Sequence, residues 1–418
     1  MPTFLTHWRV LIETARRSQD VGSDLGSLII DTASLFRRIQ GVTPAPQTTP
    51  AGAVWYAGPL PRIDFRFPGS DISAMAYLGA VAADSTTYQR GHFRERMSGT
   101  FRHKRSDLEQ TTNRDIQWVT LLHTNRPGDL LLALLELIAV IPSPALRSQA
   151  LAFAMGYLSH IATDIALIPC INALANAYQP KNIPGMFAPL GTHFYVELCL
   201  DEYIATTYFQ HNRYGWVRQP WGGYIEPVAQ ALDSPTAFTG QVLGLLSAAA
   251  EATYGLSEEQ RNLFRAAHLA GLERLRLYLA GRGTFRWLTL KASLRRRKDD
   301  PIIATIGAHQ HVRGVITFER AIDYAIRLSE RLCRRAISYY ASLRNTQATA
   351  NERNQRRTSL CDDLRNWDLS TGYTLEVSFE QEVTLRFLHN WIYFAELWNS
   401  EPPSHIQHND NVLSPNNS

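Results

Sequence analysis

Cysteine is scarce in this chain and follows no pattern. Four occur in 418 residues, Cys170, Cys199, Cys333 and Cys361, and no Cys-x-x-Cys is among them. That argues against a disulfide framework or an all-thiolate zinc module and fits a reducing compartment. Charge is thin as well, at 19% of residues with a net of +4. So small an imbalance gives no reason of its own to propose a nucleic-acid partner. There is no Gly-rich phosphate loop, no Gly-x-Ser-x-Gly and no internal repeat, which removes P-loop, α/β-hydrolase and solenoid readings. No secretory leader is expected either, because His7, Arg9 and Glu13 interrupt the first apolar residues. The expected location is the cytoplasm, or outside the cell by a route without a signal peptide.

What is present is apolar, helix-like sequence. Hydrophobic residues make up 45% of the chain, enough for a substantial core in one large domain or two. Residues 4–40 carry apolar positions at three-and-four spacing and stop at Gly41, before a loop, "VTPAPQTTPAG" (42–52). Helices are predicted at 71–84, 115–141, 146–168 (ending near Pro169), 192–210, from Ser257 to about 280 behind a Ser257/Gln260 capping box, and at about 317–343. The last has a stripe of Ile322, Ile326, Leu332, Ala336 and Tyr340 with arginines opposite. Ala150 to Ile171 is long and apolar enough for a membrane span, but it contains His160 and Asp164 and is read as a core helix, leaving no transmembrane segment. "YTLEVSFEQEVTLRF" alternates apolar and polar residues and suggests one short β-hairpin, and the tail from about Glu401 reads as disordered. The expected fold class is all-α, a multi-helix bundle, divided into 1–210, a helical extension at 211–400 and the tail 401–418.

Within this background, His160 precedes Asp164 by four residues and His193 precedes Glu197 by four. Residues i and i+4 lie on one helix face, so each pair can close on one metal ion from one side. Chance supplies about one such pair in a chain of this composition, and three occur. The third, His103 with Asp107, sits in the polar run "FRHKRSDLEQ" and reads as a solvated surface pair. The other two are wrapped in apolar residues, where an uncompensated charge is expensive. The plain alternative is two buried histidines, each hydrogen-bonded to its own carboxylate.

The wording around the pairs, "GYLSHIATD" and then "HFYVELCLDEYIA", resembles the zinc-dependent phospholipase C family, which shares its fold with the P1-type single-strand nucleases. His7 in "MPTFLTHWRVLIETA", Asp84 ending "AYLGAVAADSTTY" and His123 in "VTLLHTNRPGDLLLALLEL" extend the likeness backward, over roughly residues 1–210. The resemblance implies a phospholipase C / P1 nuclease bundle with one to three zinc ions. Asp84 would bridge two of them and serve as general base. His123, His160 and Asp164 would hold one ion, His193 and Glu197 another, and His7 with Asp164 a third. The implied activity is zinc-dependent hydrolysis of a phosphodiester, with a phospholipid substrate, peripheral membrane contact and a metal-activated water.

Two features depart from that pattern. A further ligand histidine is expected shortly after Asp164, where this chain has Ile168 and Cys170; Cys170 is either a thiolate ligand or a buried apolar cysteine. Secreted members also bind metal through a processed N-terminal amine, which Met1 and Pro2 do not obviously supply. Two alternatives follow. One is a nuclease on single-stranded nucleic acid, helped by the basic run Arg295 to Lys298 and the aromatic segment with Tyr214, Trp216, Trp221 and Tyr224 but disfavoured by the weak overall charge. The other is a non-catalytic helical scaffold that keeps a partial zinc site.

Overall fold

The computed structural model describes residues 4–20, 46–48, 54–56, 71–86, 118–177, 196–197, 199–201, 203–204, 238–279, 318–369 and 373–374. Its helices are α1 (Phe4–Asp20), α2 (Asp71–Ser85), α3 (Trp118–Thr124), α4 (Pro127–Ala139), α5 (Pro144–Ala177), α6 (Phe238–Tyr254), α7 (Glu258–Leu279), α8 (Phe318–Arg344) and α9 (Ala350–Leu364). Two antiparallel ribbons accompany them: β1 (Pro46–Thr48) with β2 (Val54–Tyr56), and β3 (Trp367–Asp368) with β4 (Tyr373–Thr374). The fold is an all-α, multi-helix bundle, as its sequence periodicity implies.

Helix α5 is the axis of the bundle. Its sequence is apolar on every side, the pattern of a helix enclosed all round, and within Leu146–Asn172, long and apolar enough to cross a membrane, residues 149–171 are buried. Contacts with α1, α2, α4, α6 and α8 enclose it. Against α2 the two backbones nearly touch. A Cβ on Gly156 would lie 1.9 Å from the Ala76 carbonyl oxygen, and one on Gly79 would lie 2.0 Å from that of Phe153. Only hydrogen fits there, so the small residues of "AYLGAVAAD" set the closeness of the two helices.

Two predicted boundaries are corrected. The single helix expected over 115–141 is two, α3 and α4, broken where Arg126 takes a left-handed conformation (φ 48°) ahead of Pro127. Proline disfavours helical geometry in the residue before it and suits the first turn of a new helix. Conversely, α5 does not end near Pro169 but runs through it to Ala177. An interior proline costs roughly 3 kcal/mol, which the burial of both flanks offsets. Part of the 42–52 loop pairs as β1.

The capping box at Ser257 is present in both directions, Ser257 N–H to Gln260 Oε1 at 2.8 Å and Gln260 N–H to Ser257 Oγ at 3.2 Å. In α8 the stripe Ile322, Ile326, Leu332 and Ala336 is buried and Tyr340 is half-buried. Asp363 of α9 accepts from Arg331 and Arg335 of α8 at 2.6 and 2.8 Å. The second half of the chain packs directly on the first. Arg9 of α1 makes a two-pronged bond to Glu319 of α8 (3.0 and 2.7 Å), and the Leu369 N–H donates to the His123 carbonyl at 2.7 Å. Of the hairpin expected in "YTLEVSFEQEVTLRF" only Tyr373–Thr374 is described, and it pairs backward with Trp367–Asp368; the rest of that hairpin, the aromatic segment 211–227, the basic run, the pair His103/Asp107 and the tail lie outside the described residues.

Candidate metal centre

Five of the seven sequence-derived site residues meet at one point. His7 comes from the first turns of α1, Asp84 from the last turn of α2, His123 from α3, and His160 and Asp164 from adjacent turns of α5. All five are buried. His7 Nε2 stands 3.5 Å from Asp84 Oδ2 and 3.6 Å from Asp164 Oδ1. His123 Nε2 is 3.4 Å from Asp84 Oδ1, 3.3 Å from Asp164 Oδ2 and 3.1 Å from His160 Nε2. His160 Nε2 is 3.2 Å from Asp164 Oδ2, and its ring stacks on that of His7 with centroids 4.1 Å apart.

The tautomers follow from the backbone. His123 Nδ1 lies 2.6 Å from the Val119 carbonyl and His160 Nδ1 lies 3.1 Å from the Ala80 carbonyl. A carbonyl only accepts, so each Nδ1 carries the proton. In neutral rings the two Nε2 lone pairs then point at one another across 3.1 Å, an arrangement that repels unless a cation, either a proton on His123 or a metal ion, sits between them. The Ala80 contact exists because of the glycine seam, which brings α2 within reach of the α5 imidazole.

The spacing fits that cation. Two donors each about 2.0–2.1 Å from one ion at a tetrahedral angle stand about 3.3 Å apart. The six donor separations here, 3.1–3.6 Å, bracket that value. Several of these atoms also lack an ordinary partner: both nitrogens of His7, Asp84 Oδ1 and both carboxylate oxygens of Asp164 are buried without a hydrogen bond among the described residues. Two sets, His7 with His160 and Asp164, and Asp84 with His123 and His160, are able to hold a metal ion.

The electrostatics agree. Burial would push the two carboxyls up, but His160 foremost, then His123 and the other imidazole close to them, hold both well below the usual carboxylate range. Burial, with His160 adding, pulls His7 below the ordinary imidazole value. His123 goes the other way: burial opposes its charge, yet the Asp164 and Asp84 carboxylates facing its Nε2 push it up to about 9.

The other two predicted residues stand differently. His193 lies outside the described residues. Glu197 is fully buried, one turn before Asp201, which sequence reasoning missed. Asp201 accepts from the N–H groups of Leu5 and Thr6 (3.2 and 3.1 Å) and from the Thr6 hydroxyl (2.6 Å), capping α1 from nearly two hundred residues away. Its signal was a carboxylate four residues after Glu197 in apolar surroundings. At Cys170 the thiol points back to the Ala166 carbonyl of its own helix (4.0 Å), and burial pushes its pKa up, the character of a core cysteine. All four cysteines are unbridged.

Comparison of the chain with protein-family models, with curated proteins and with solved structures gave no match.

Proposed function

We propose that this protein is a zinc-dependent phosphodiester hydrolase, with phospholipid as substrate in the manner of a phospholipase C. The observation that carries the reading is the set of six donor separations near the tetrahedral value in a buried pocket of three imidazoles and two carboxylates. Imidazole with carboxylate is a donor set that suits zinc. Such an ion acidifies a coordinated water and neutralises developing charge on phosphoryl oxygens.

The chain's own residues would divide the remaining work. Asp164 and His160, fixed on one face of α5, and His123, oriented by Val119, hold the centre. Asp84 is the member solvent reaches most, with 10% of its side chain exposed, and its carboxylate stays ionised. It is the group placed to take the proton of an attacking water. His7, kept neutral by burial, completes the shell.

A second reading is favoured by one fact: His7, His160 and Asp164 are wholly buried, as the ligands of a purely structural ion in a non-catalytic scaffold would be. Metal-replete protein assayed side by side on phosphatidylcholine vesicles and on single-stranded DNA separates the possibilities. Release of phosphorylated head group, abolished by Asp84→Asn in a protein that still melts cooperatively, is the expected result. Nucleotide release instead would identify a nuclease. Cleavage of neither by a metal-bearing protein would leave the scaffold.

A further inference from the structure

Tyr157 lies on the same face of α5 as the two ligands that follow it, three residues before His160 and seven before Asp164. Its ring centroid is 6.1 Å from that of His160. The side chain is completely buried, and its hydroxyl has no hydrogen-bond partner among the described residues. A buried phenol left in that state loses its solvation without compensation, so its place beside the centre points to a partner that binds there. Burial and the nearby Tyr254, Asp84 and Asp164 all push its pKa up, so it stays a donor.

We infer that the Tyr157 hydroxyl donates a hydrogen bond to an oxygen held in the His/Asp centre, that of a water or, in its place, a phosphoryl oxygen of the substrate. The inference rests on the metal-dependent reading above and adds a catalytic residue to it. Donors aimed at a phosphoryl oxygen in a water-poor site act where charge develops. Tyr254, at the end of α6, is a second buried phenol beside Tyr157 but is not on α5 with the ligands, so it serves as the comparison.

The test is titration of full-length, zinc-replete protein with inorganic phosphate by calorimetry, in wild type, Tyr157→Phe and Tyr254→Phe. Removing an unsatisfied hydroxyl without changing ring shape should leave folding and zinc content intact. The expected result is phosphate binding weakened about tenfold in Tyr157→Phe and by less than about twofold in Tyr254→Phe. Three results overturn the inference: wild-type affinity in Tyr157→Phe, equal weakening in both variants, or no phosphate binding by wild type. Phosphate binding that depends on Tyr157 in a protein that cleaves no phosphodiester would sink the hydrolase reading and keep this one. Cleavage at an unchanged rate and unchanged phosphate affinity in Tyr157→Phe would do the reverse.

Discussion

Two ionised carboxylates and three imidazoles share one buried pocket, and without an ion the charge is met by a proton on His123. Its value of about 9 in the fold lies above the ordinary 6.5. The stabilisation it brings is therefore complete below pH 6.5 and is lost as pH rises toward 9. The melting temperature of chelator-treated protein should fall between pH 6.5 and pH 9, and added zinc should remove most of that fall, as scanning calorimetry can show. A flat profile for the stripped protein would contradict the protonated His123. At the acid end the sign reverses. Asp84 and Asp164 titrate below the usual 3.8, so their contribution is present above it and disappears on acidification. His160 and Asp164 were legible from their i, i+4 spacing in apolar sequence, whereas His7, Asp84 and His123 stood out only through the ordered resemblance and not by their own surroundings. Tyr157 and Asp201 were not legible, since an orphaned hydroxyl and a cap supplied from 196 residues away exist only once the helices are packed.

At the level of elements, the closeness of α2 and α5 decides whether Asp84 can reach Asp164's neighbours. Gly156→Ala places a methyl 1.9 Å from the Ala76 oxygen and must separate the helices. Overpacking of this kind costs about 1–3 kcal/mol, and zinc affinity should fall with it. Gly244→Ala in α6 meets nothing within 4 Å and should instead stabilise by about 0.5–1 kcal/mol. Chemical denaturation of the two variants checks both signs. Asp201→Ala removes the cap from α1 and should cost about 1–2 kcal/mol, with weaker metal binding because His7 sits in that first turn. Helix existence was readable from periodicity, but two boundaries were not. Asn125–Arg126–Pro127 carried the break signal inside an otherwise continuous apolar pattern, and Pro169 carried a stop signal that the surrounding core overrides.

At the scale of the whole molecule, the centre joins helices that are far apart in sequence. α1, α2, α3 and α5 contribute side chains to it, while α8 holds α1 through Glu319 and Leu369 ties off the carbonyl of His123. The second half of the chain, opaque in sequence beyond its helical periods, is thus part of the support of the centre. No local pattern in residues 318–369 announces that role, since it consists of long-range contacts. The account as a whole stands on a metal ion. Elemental analysis of protein expressed with ample zinc, wild type beside Asp164→Asn, addresses it directly. At least one zinc per chain in wild type, lost in a folded Asp164→Asn, is the predicted result; less than one per chain in wild type, or full occupancy in the variant, would contradict it.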